Sequence, residues 1–455
     1  MKRLLTCLAW GLIVSWSLAV CAADWKVGIA QIEITPQQPV WMAGYAARVH
    51  PSEGTVHPLW AKALSVEDGR GERAVIVTTD LIGLVREVSD AIGAGVQKRT
   101  GIPRERIVLN SSHTHCGPVV LGCADIAHHM EAKDVAVAAA YRDELQEKVV
   151  RVIEAACAKM QPANLAFGEG TAPFATNRRK IQTQGYAIAP NPEGPADRRV
   201  PVLRVSDEND RPLAVLFGYA CHNTTLGGDF YQFNGDYAGF AQVELEAKHP
   251  GVAAMFMIGC GADANPQPRG KLELAEQHGK ELAEAVDRVL SGELRPVRGP
   301  LAVAMDRVDL PLVDPPGKEE LEARRGQGNV YQQRLTELLL ERIEKQGKVD
   351  ADYAYPVQVV RFGKDLTLVA LAGEVVVDYA IRLHKEFDAE PLWVAGYTNE
   401  VFAYVPSERI LSEGGYEGGG AMVYFGWHGP FQPGVEDRVV GLVKKLMDRT
   451  AQALR

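Results

Sequence analysis

Apolar residues fall along this chain in short runs, and each run ends on a polar loop. "RAVIVTTDLIGLVREVSDAIGAGVQKRTG" opens with such a run, reaches Asp80 and continues with helical spacing. "RIVLNSSHTH" follows as a second run that stops at His113 and His115. The order recurs downstream. "PLAVLFGYACHNTT" ends at His222, a helical stretch opens near Asp236, and "AAMFMIGCGADANP" closes the unit. In "LTLVALAGEVVVDYAIRLHKEF" a run reaches Glu374 and then a helix, with "PLWVAGYTNEVFAYVP" after it. Short apolar runs bounded by turn residues predict strands, and the spacing between them predicts helices. The three units share an order of elements but not residue identities, so they are not a sequence repeat.

This alternation predicts an α/β class, with mixed β-sheets flanked by helices. It also places polar side chains at strand ends, where open α/β sheets build their sites. "WKVGIAQIEITPQQPVWMAGYAAR" adds strands and an exposed loop turning through Pro36, Pro39 and Gly44. Residues 317–349 are dense in charge and read as surface helices. No low-complexity linker marks a second domain.

The N-terminus changes the picture. "MKRLLTCLAWGLIVSWSLAVCAADW" has a basic start at Lys2 and Arg3, an apolar stretch from Leu4 to Val20, and small residues at Cys21, Ala22 and Ala23. This is a secretory signal pattern with cleavage after Ala22 or Ala23. A signal peptide over 1–23 and a secreted or periplasmic protein are expected, and Val20 fits poorly before a lipid-modified Cys21. No other stretch approaches the about 18–20 apolar residues of a spanning helix. Export permits disulfides. Five cysteines remain after the leader (Cys116, Cys123, Cys157, Cys221 and Cys260), an odd number with no CxxC pair. Cys116 and Cys123 are close enough in sequence to bridge. A cysteine zinc site is not expected.

Charge narrows the partners. Lys and Arg number 49 against 58 Asp and Glu. An acidic balance argues against nucleic acid, whose phosphates need a basic face.

On a strand, residues i and i+2 share a side, so His113 and His115 can converge on one metal ion; the alternative is a hydrogen-bonded turn. The motif lacks the Asp-His continuation of metallo-β-lactamases and comes too late for an amidohydrolase barrel. Glu374 after Gly373 is a helix cap or a ligand, and Tyr404 alone is a packing residue. Asp80 and Asp236 either orient ligands or cap helices.

Together these segments resemble the catalytic domain of the neutral/alkaline non-lysosomal ceramidases. The resemblance rests on "VGIAQIEITP", "GTVHPLWAKALSV", "VIVTTDL", "SSHTHCGP", "TNRRK", "YACHNTT", "NGDYAGFAQ", "GADANP", "LAGE" and "YVPSERILSEGGYEGGGAMVYFG", in family order. It implies a Zn2+ ion held by His113, His222, Glu374 and Tyr404. It implies His115 as a nearby non-ligand histidine, Tyr416 facing the reacting group, Arg178 as an active-site arginine, and Asp263 in the family's Gly-Asp-Val-Ser-Pro-Asn loop. Asn265 stands where that loop has serine, which favours direct attack by metal-activated water on an N-acyl amide. The expectation is one ceramidase-like catalytic domain over 24–455, without the family's C-terminal β-sandwich domain. The substrate is a small or lipid-like N-acyl compound, ceramide or another. A metal-dependent esterase or phosphoesterase, or a non-catalytic exported binding protein, are the competing readings.

Overall fold

The computed structural model describes residues 24–389 and 391–454, and the expected leader over 1–23 lies outside them. The apolar runs form strands β1 (Trp25–Glu33), β2 (Trp60–Asp68), β3 (Arg73–Thr79), β4 (Ile107–Ser111), β5 (Gln161–Thr171), β6 (Arg199–Asp207), β7 (Pro212–Tyr219) and β8 (Ala253–Ile258). They make one sheet in the order β8-β7-β6-β5-β1-β2-β3-β4, with Arg295–Val297 beside β5. Its middle is antiparallel, and the pairs at its two edges, β3–β4 and β7–β8, are parallel. A second sheet holds β9 (Leu301–Pro311), β10 (Asp352–Phe362), β11 (Leu366–Leu371) and β12 (Leu392–Ala395). It too ends on a parallel pair, β11–β12.

Parallel neighbours need a crossover, and helices supply it. Helix α1 (Arg86–Thr100) joins β3 to β4, and α2 (Ala132–Ala158) packs beside it. Helix α3 (Asp236–Lys248) joins β7 to β8 and packs on α4 (Leu272–Leu290). The charged stretch forms α5 (Lys318–Arg324) and α6 (Val330–Gln346), which bury little more than Leu321, Leu339 and Leu340. Helix α7 (Val377–Glu386) joins β11 to β12, and α8 (Glu408–Glu413) and α9 (Val435–Ala453) follow. The three units read from the sequence are these three crossovers.

Side-chain alternation sorts the core into layers. Val75, Val77, Leu109, Val215 and Phe217 face α1 to α4. Their neighbours Ile76, Val108 and Leu216 face Val360, Leu368 and Ala370 of the second sheet. Val357, Val359 and Leu371 look outward under α7 and α9. Both faces of each sheet are therefore buried in an α/β/β/α stack. This is why the strands read as continuous apolar runs. Cys116, Cys123, Cys157, Cys221 and Cys260 are all free thiols, so the sequence-adjacent Cys116 and Cys123 do not bridge.

One buried amide ties the three crossovers together. Asn110, near the end of β4, accepts from the Ile258 N–H at the end of β8 (3.1 Å). Its Nδ2 donates to the Gly396 carbonyl just after β12 (2.8 Å) and to Thr398 Oγ1 (3.0 Å). Asn110→Ala leaves the Ile258 N–H without its acceptor in a site closed to water. The expected cost is about 1–3 kcal/mol of stability, read as a lower urea midpoint at unchanged slope. A loss under about 0.5 kcal/mol, the range of ordinary surface substitutions, would show that the clasp is dispensable.

Candidate metal centre

The loops after the parallel strands meet at one end of the stack. His113 and His115 follow β4, His222 follows β7, Glu374 follows β11, and Tyr404 lies beyond β12. Two-residue strands Glu374–Val375 and Tyr404–Val405 pair in parallel and hold Glu374 level with Tyr404. His113 has a left-handed backbone (φ 61), as do Tyr397 (φ 50) and Asn399 (φ 67). Such strain in non-glycine residues is kept where the surroundings over-determine it, and it gathers at functional sites.

Each imidazole is oriented by a main-chain carbonyl. His113 Nδ1 donates to Ile82 O (2.7 Å), and His222 Nδ1 donates to Gly261 O (2.9 Å). A carbonyl can only accept, so in the neutral rings both Nε2 atoms are bare. Those atoms face Glu374 Oε2, at 3.2 Å from His113 and 3.1 Å from His222. Tyr404 Oη lies 3.2 Å from His222 Nε2, and His115 Nε2 lies 3.2 Å from His113 Nε2.

Electrostatics sharpens the conflict. Burial, reinforced by the Arg178 charge, pushes His222 down from 6.5 to about 3, so it stays neutral. Burial works against the Glu374 carboxylate, yet the imidazoles of His113 and His222 hold its pKa well below the usual range. In the neutral tautomers set by these carbonyls, the buried carboxylate oxygen faces two imidazole Nε2 lone pairs. This is the donor set of a cation site. Ligands about 2.0–2.1 Å from a tetrahedral zinc sit about 3.3 Å apart, close to the separations here. His115 is part of the same cluster, since ring nitrogens of His113, His115 and His222 all lie within 4.8 Å of one another.

Around this centre is a cavity of about 280 Å³. Ile82, Ala124, Ala127, Val401 and Phe425 form its apolar lining, and Tyr416, Arg178, Asn265 and Arg269 its polar lining. Arg178 is buried and closely held. Its Nη2 donates to Tyr404 Oη (2.9 Å), its Nε to Glu417 (2.8 Å) and its Nη1 to Asn265 Oδ1 (3.3 Å). Tyr416 packs its ring edge on Tyr404 at 5.2 Å, and burial raises its phenol pKa, so it remains an O–H donor.

Asp263 does not line the cavity. Its Oδ1 accepts from the Val377 N–H that opens α7 (2.9 Å), and its Oδ2 accepts from Asn177 Nδ2 (3.1 Å). Burial pushes its carboxyl up to about 7. It is a positioning residue that links α7 to the residue before Arg178. Asp80 neither caps α1 nor reaches a ligand; it accepts from the Trp60 N–H and from Gln242. Asp236 opens α3 and accepts from the Leu226 N–H (3.0 Å), steadying the loop after His222.

Several contributors lie beyond the residues picked out by pattern. Glu417 sits between Arg178 and Arg179; its one sequence signal is adjacency to Tyr416. The Tyr397 ring packs at a tilt against His113, with centroids 4.4 Å apart. Gly44 (φ +94) lets the chain pass His115 so closely that a Cβ would lie 2.3 Å from its Nδ1.

An α/β/β/α protein with a candidate metal centre at the ends of its parallel strands is thus defined. The chain matches the family described as neutral/alkaline non-lysosomal ceramidase, N-terminal, over residues 25–268. It belongs to that family. It is 27% identical to neutral ceramidase B of Dictyostelium discoideum over 273 residues, 54% of this chain and 36% of that protein. With the neutral ceramidase of Pseudomonas aeruginosa it shares 25% identity over 236 residues, 49% of this chain and 33% of that one. The chain therefore aligns with about a third of the length of these relatives. The crystal structure of the Pseudomonas aeruginosa neutral ceramidase superposes with a TM-score of 0.72 at 21% identity, covering 93% of this chain and 75% of that one. That likeness establishes the fold.

Two outcomes follow from the geometry. Gly44→Ala must displace the His115 ring, so the chain should stay folded by circular dichroism while bound-metal affinity or turnover drops about tenfold or more, the scale of supporting-shell defects. An unchanged affinity and rate would remove His115 from the centre. The second concerns acid. The unfolded chain protonates His222 below 6.5, whereas the folded chain resists until about 3. In that window the unfolded state binds more protons, so stability falls as pH falls. Melting of chelator-treated protein should show this decline, and His222→Gln should flatten it; equal slopes for the two proteins would refute the assignment.

Proposed function

We propose that the chain is an exported, zinc-dependent hydrolase cleaving an N-acyl amide bond, with one catalytic domain over residues 24–455. The observation that carries this reading is the buried Glu374 carboxylate facing two bare imidazole nitrogens in the wall of a partly apolar cavity. His113, His222, Glu374 and Tyr404 would hold the ion. Zinc, when bound, lowers the pKa of water and polarises a carbonyl.

The remaining chemistry belongs to side chains. The apolar lining from Ile82 to Phe425 seats an acyl chain and keeps water off it. Arg178, fixed by Glu417, keeps Tyr404 Oη an acceptor by donating to it. Tyr416 supplies a neutral O–H to the oxygen on which negative charge develops. His115, neutral because burial holds its pKa well below the usual value, is free to take a proton from the attacking water and pass it to the leaving amine. Asn265 offers no hydroxyl, so water is the nucleophile.

Purified protein should contain one zinc per chain and hydrolyse N-acyl amides in a chelator-sensitive manner. His113→Ala should lose the metal and more than about 100-fold of the rate, beyond what outer-shell changes cost. Faster turnover of the matched ester, or of a phosphoester, would select the competing enzymatic reading. Absence of stoichiometric zinc together with no effect of His113→Ala would leave a binding protein.

A further inference from the structure

The cavity's polar wall carries a positive charge that no carboxylate among the described residues pairs with. Arg178 is matched by Glu417, and the Glu374 charge faces the imidazoles. Arg269 differs. It is half-buried in the lining, and among the described residues no carboxylate lies within ion-pairing distance of it. Its one hydrogen bond there is from Nη2 to Tyr45 Oη at 3.1 Å. Tyr45 donates its own proton to Leu226 O (2.6 Å), so toward Arg269 it is an acceptor. The guanidinium is thereby anchored by one corner, with its other N–H groups uncommitted.

The position of that charge is informative. Tyr45 packs against His115 with ring centroids 4.8 Å apart, so Arg269 stands one aromatic ring beyond the candidate centre. Behind them Arg48, 1% exposed, donates to the carbonyls of Ala43, His115 and Phe230 and has no carboxylate partner among the described residues. On the same wall, Asn265 Oδ1 accepts from both Arg178 Nη1 and Thr224 Oγ1. Two donors fix the amide's orientation, and its Nδ2 makes no hydrogen bond among the described residues. A guanidinium with uncommitted N–H groups suits a carboxylate, and the spare Asn265 amide N–H in the same lining is a second donor. A chain of net charge −9 gains nothing for folding by leaving such a cation unpaired.

Resting on the hydrolase reading above, we propose that the amine half of the substrate carries a carboxylate held by Arg269, so that the protein acts on N-acyl amino acids in preference to neutral N-acyl amides. The apolar lining takes the acyl chain, the amide carbonyl sits at the centre, and the polar wall takes the amine side. In the reaction the oxygen of water bonds to the acyl carbon, the C–N bond breaks, and the nitrogen takes a proton. A fatty acid and a free amino acid leave, with no other reactant consumed.

N-lauroylglycine and N-lauroylglycinamide differ in charge and little else, and they test this directly. The zinc-loaded full chain should show at least a tenfold higher kcat/KM for the glycine compound. Arg269→Gln should remove that preference, mainly through KM, with a loss on the glycine compound at least tenfold larger than on the glycinamide, and Arg269→Lys should restore part of it. Equal rates on the two compounds in the wild type, or equal losses on both in Arg269→Gln, would overturn the proposal. Calorimetric binding of N-lauroylglycine separates this failure from that of the hydrolase reading. With neither compound hydrolysed, at least tenfold weaker binding to Arg269→Gln still supports the carboxylate site, and unaltered binding rejects it.

Discussion

Three parallel strand pairs end at one place in this protein, and the side chain of Asn110 holds them there. Its amide oxygen and nitrogen join the ends of β4, β8 and the turn after β12 across both sheets. A parallel pair sends the chain onward from the same end twice, so each crossover delivers two loops to that end. His113 and His115 arrive on one crossover, His222 on a second, and Glu374 on the third. The candidate centre thus depends on sheet topology first and on side-chain identity second. A residue with the same volume but no amide would fill the space and lose the alignment.

Proton bookkeeping determines what the converged groups can do. The Nδ1 protons of His113 and His222 are spent on main-chain carbonyls, which turns both Nε2 lone pairs toward Glu374. Burial keeps His222 neutral, so its Nε2 brings no proton to the carboxylate. The other charges are arranged so as not to quench the centre. Glu417 is taken up by Arg178 and Arg179, and Asp263 binds the start of α7 and Asn177. The left-handed backbone at His113 and Tyr397 belongs to residues whose rings pack on each other at 4.4 Å, so the strain and the unmatched lone pairs share one support.

Much of this was legible along the chain, for a physical reason. Strands buried on both faces must be continuous apolar runs, and a polar residue directly after such a run marks a strand end. His222 after "LAVLFGYAC" and Glu374 after "LVALAG" were visible by that rule. The same rule is blind to contacts between distant segments. Asn110 gives no local signal, because its partners lie 148 and 286 residues away. Glu417 has Arg178 as a partner 239 residues off, and no local pattern announces such a pair. Asp80 stood at a strand end as the ligands do, yet Trp60 and Gln242 draw its carboxylate away from the centre. Pattern finds the strand ends; only the packing says which of them face inward.

Asn265 shows how far one substitution reaches. In the resemblance its position belongs to a serine, whose hydroxyl would be a nucleophile. An amide there has a different use, because its carbonyl accepts from Arg178 and Thr224 together. That acceptor gives Arg178 a third fixed point besides Glu417 and Tyr404, and it also engages the Thr224 hydroxyl. The other hydroxyls among the described residues of the cavity wall are phenols: Tyr45 is tied to Leu226, and burial holds the protons on Tyr404, Tyr416 and Tyr424. None is a ready nucleophile at neutral pH. An amide at this position therefore stiffens the arginine and adds no nucleophile to the wall, which accords with the proposed attack by water.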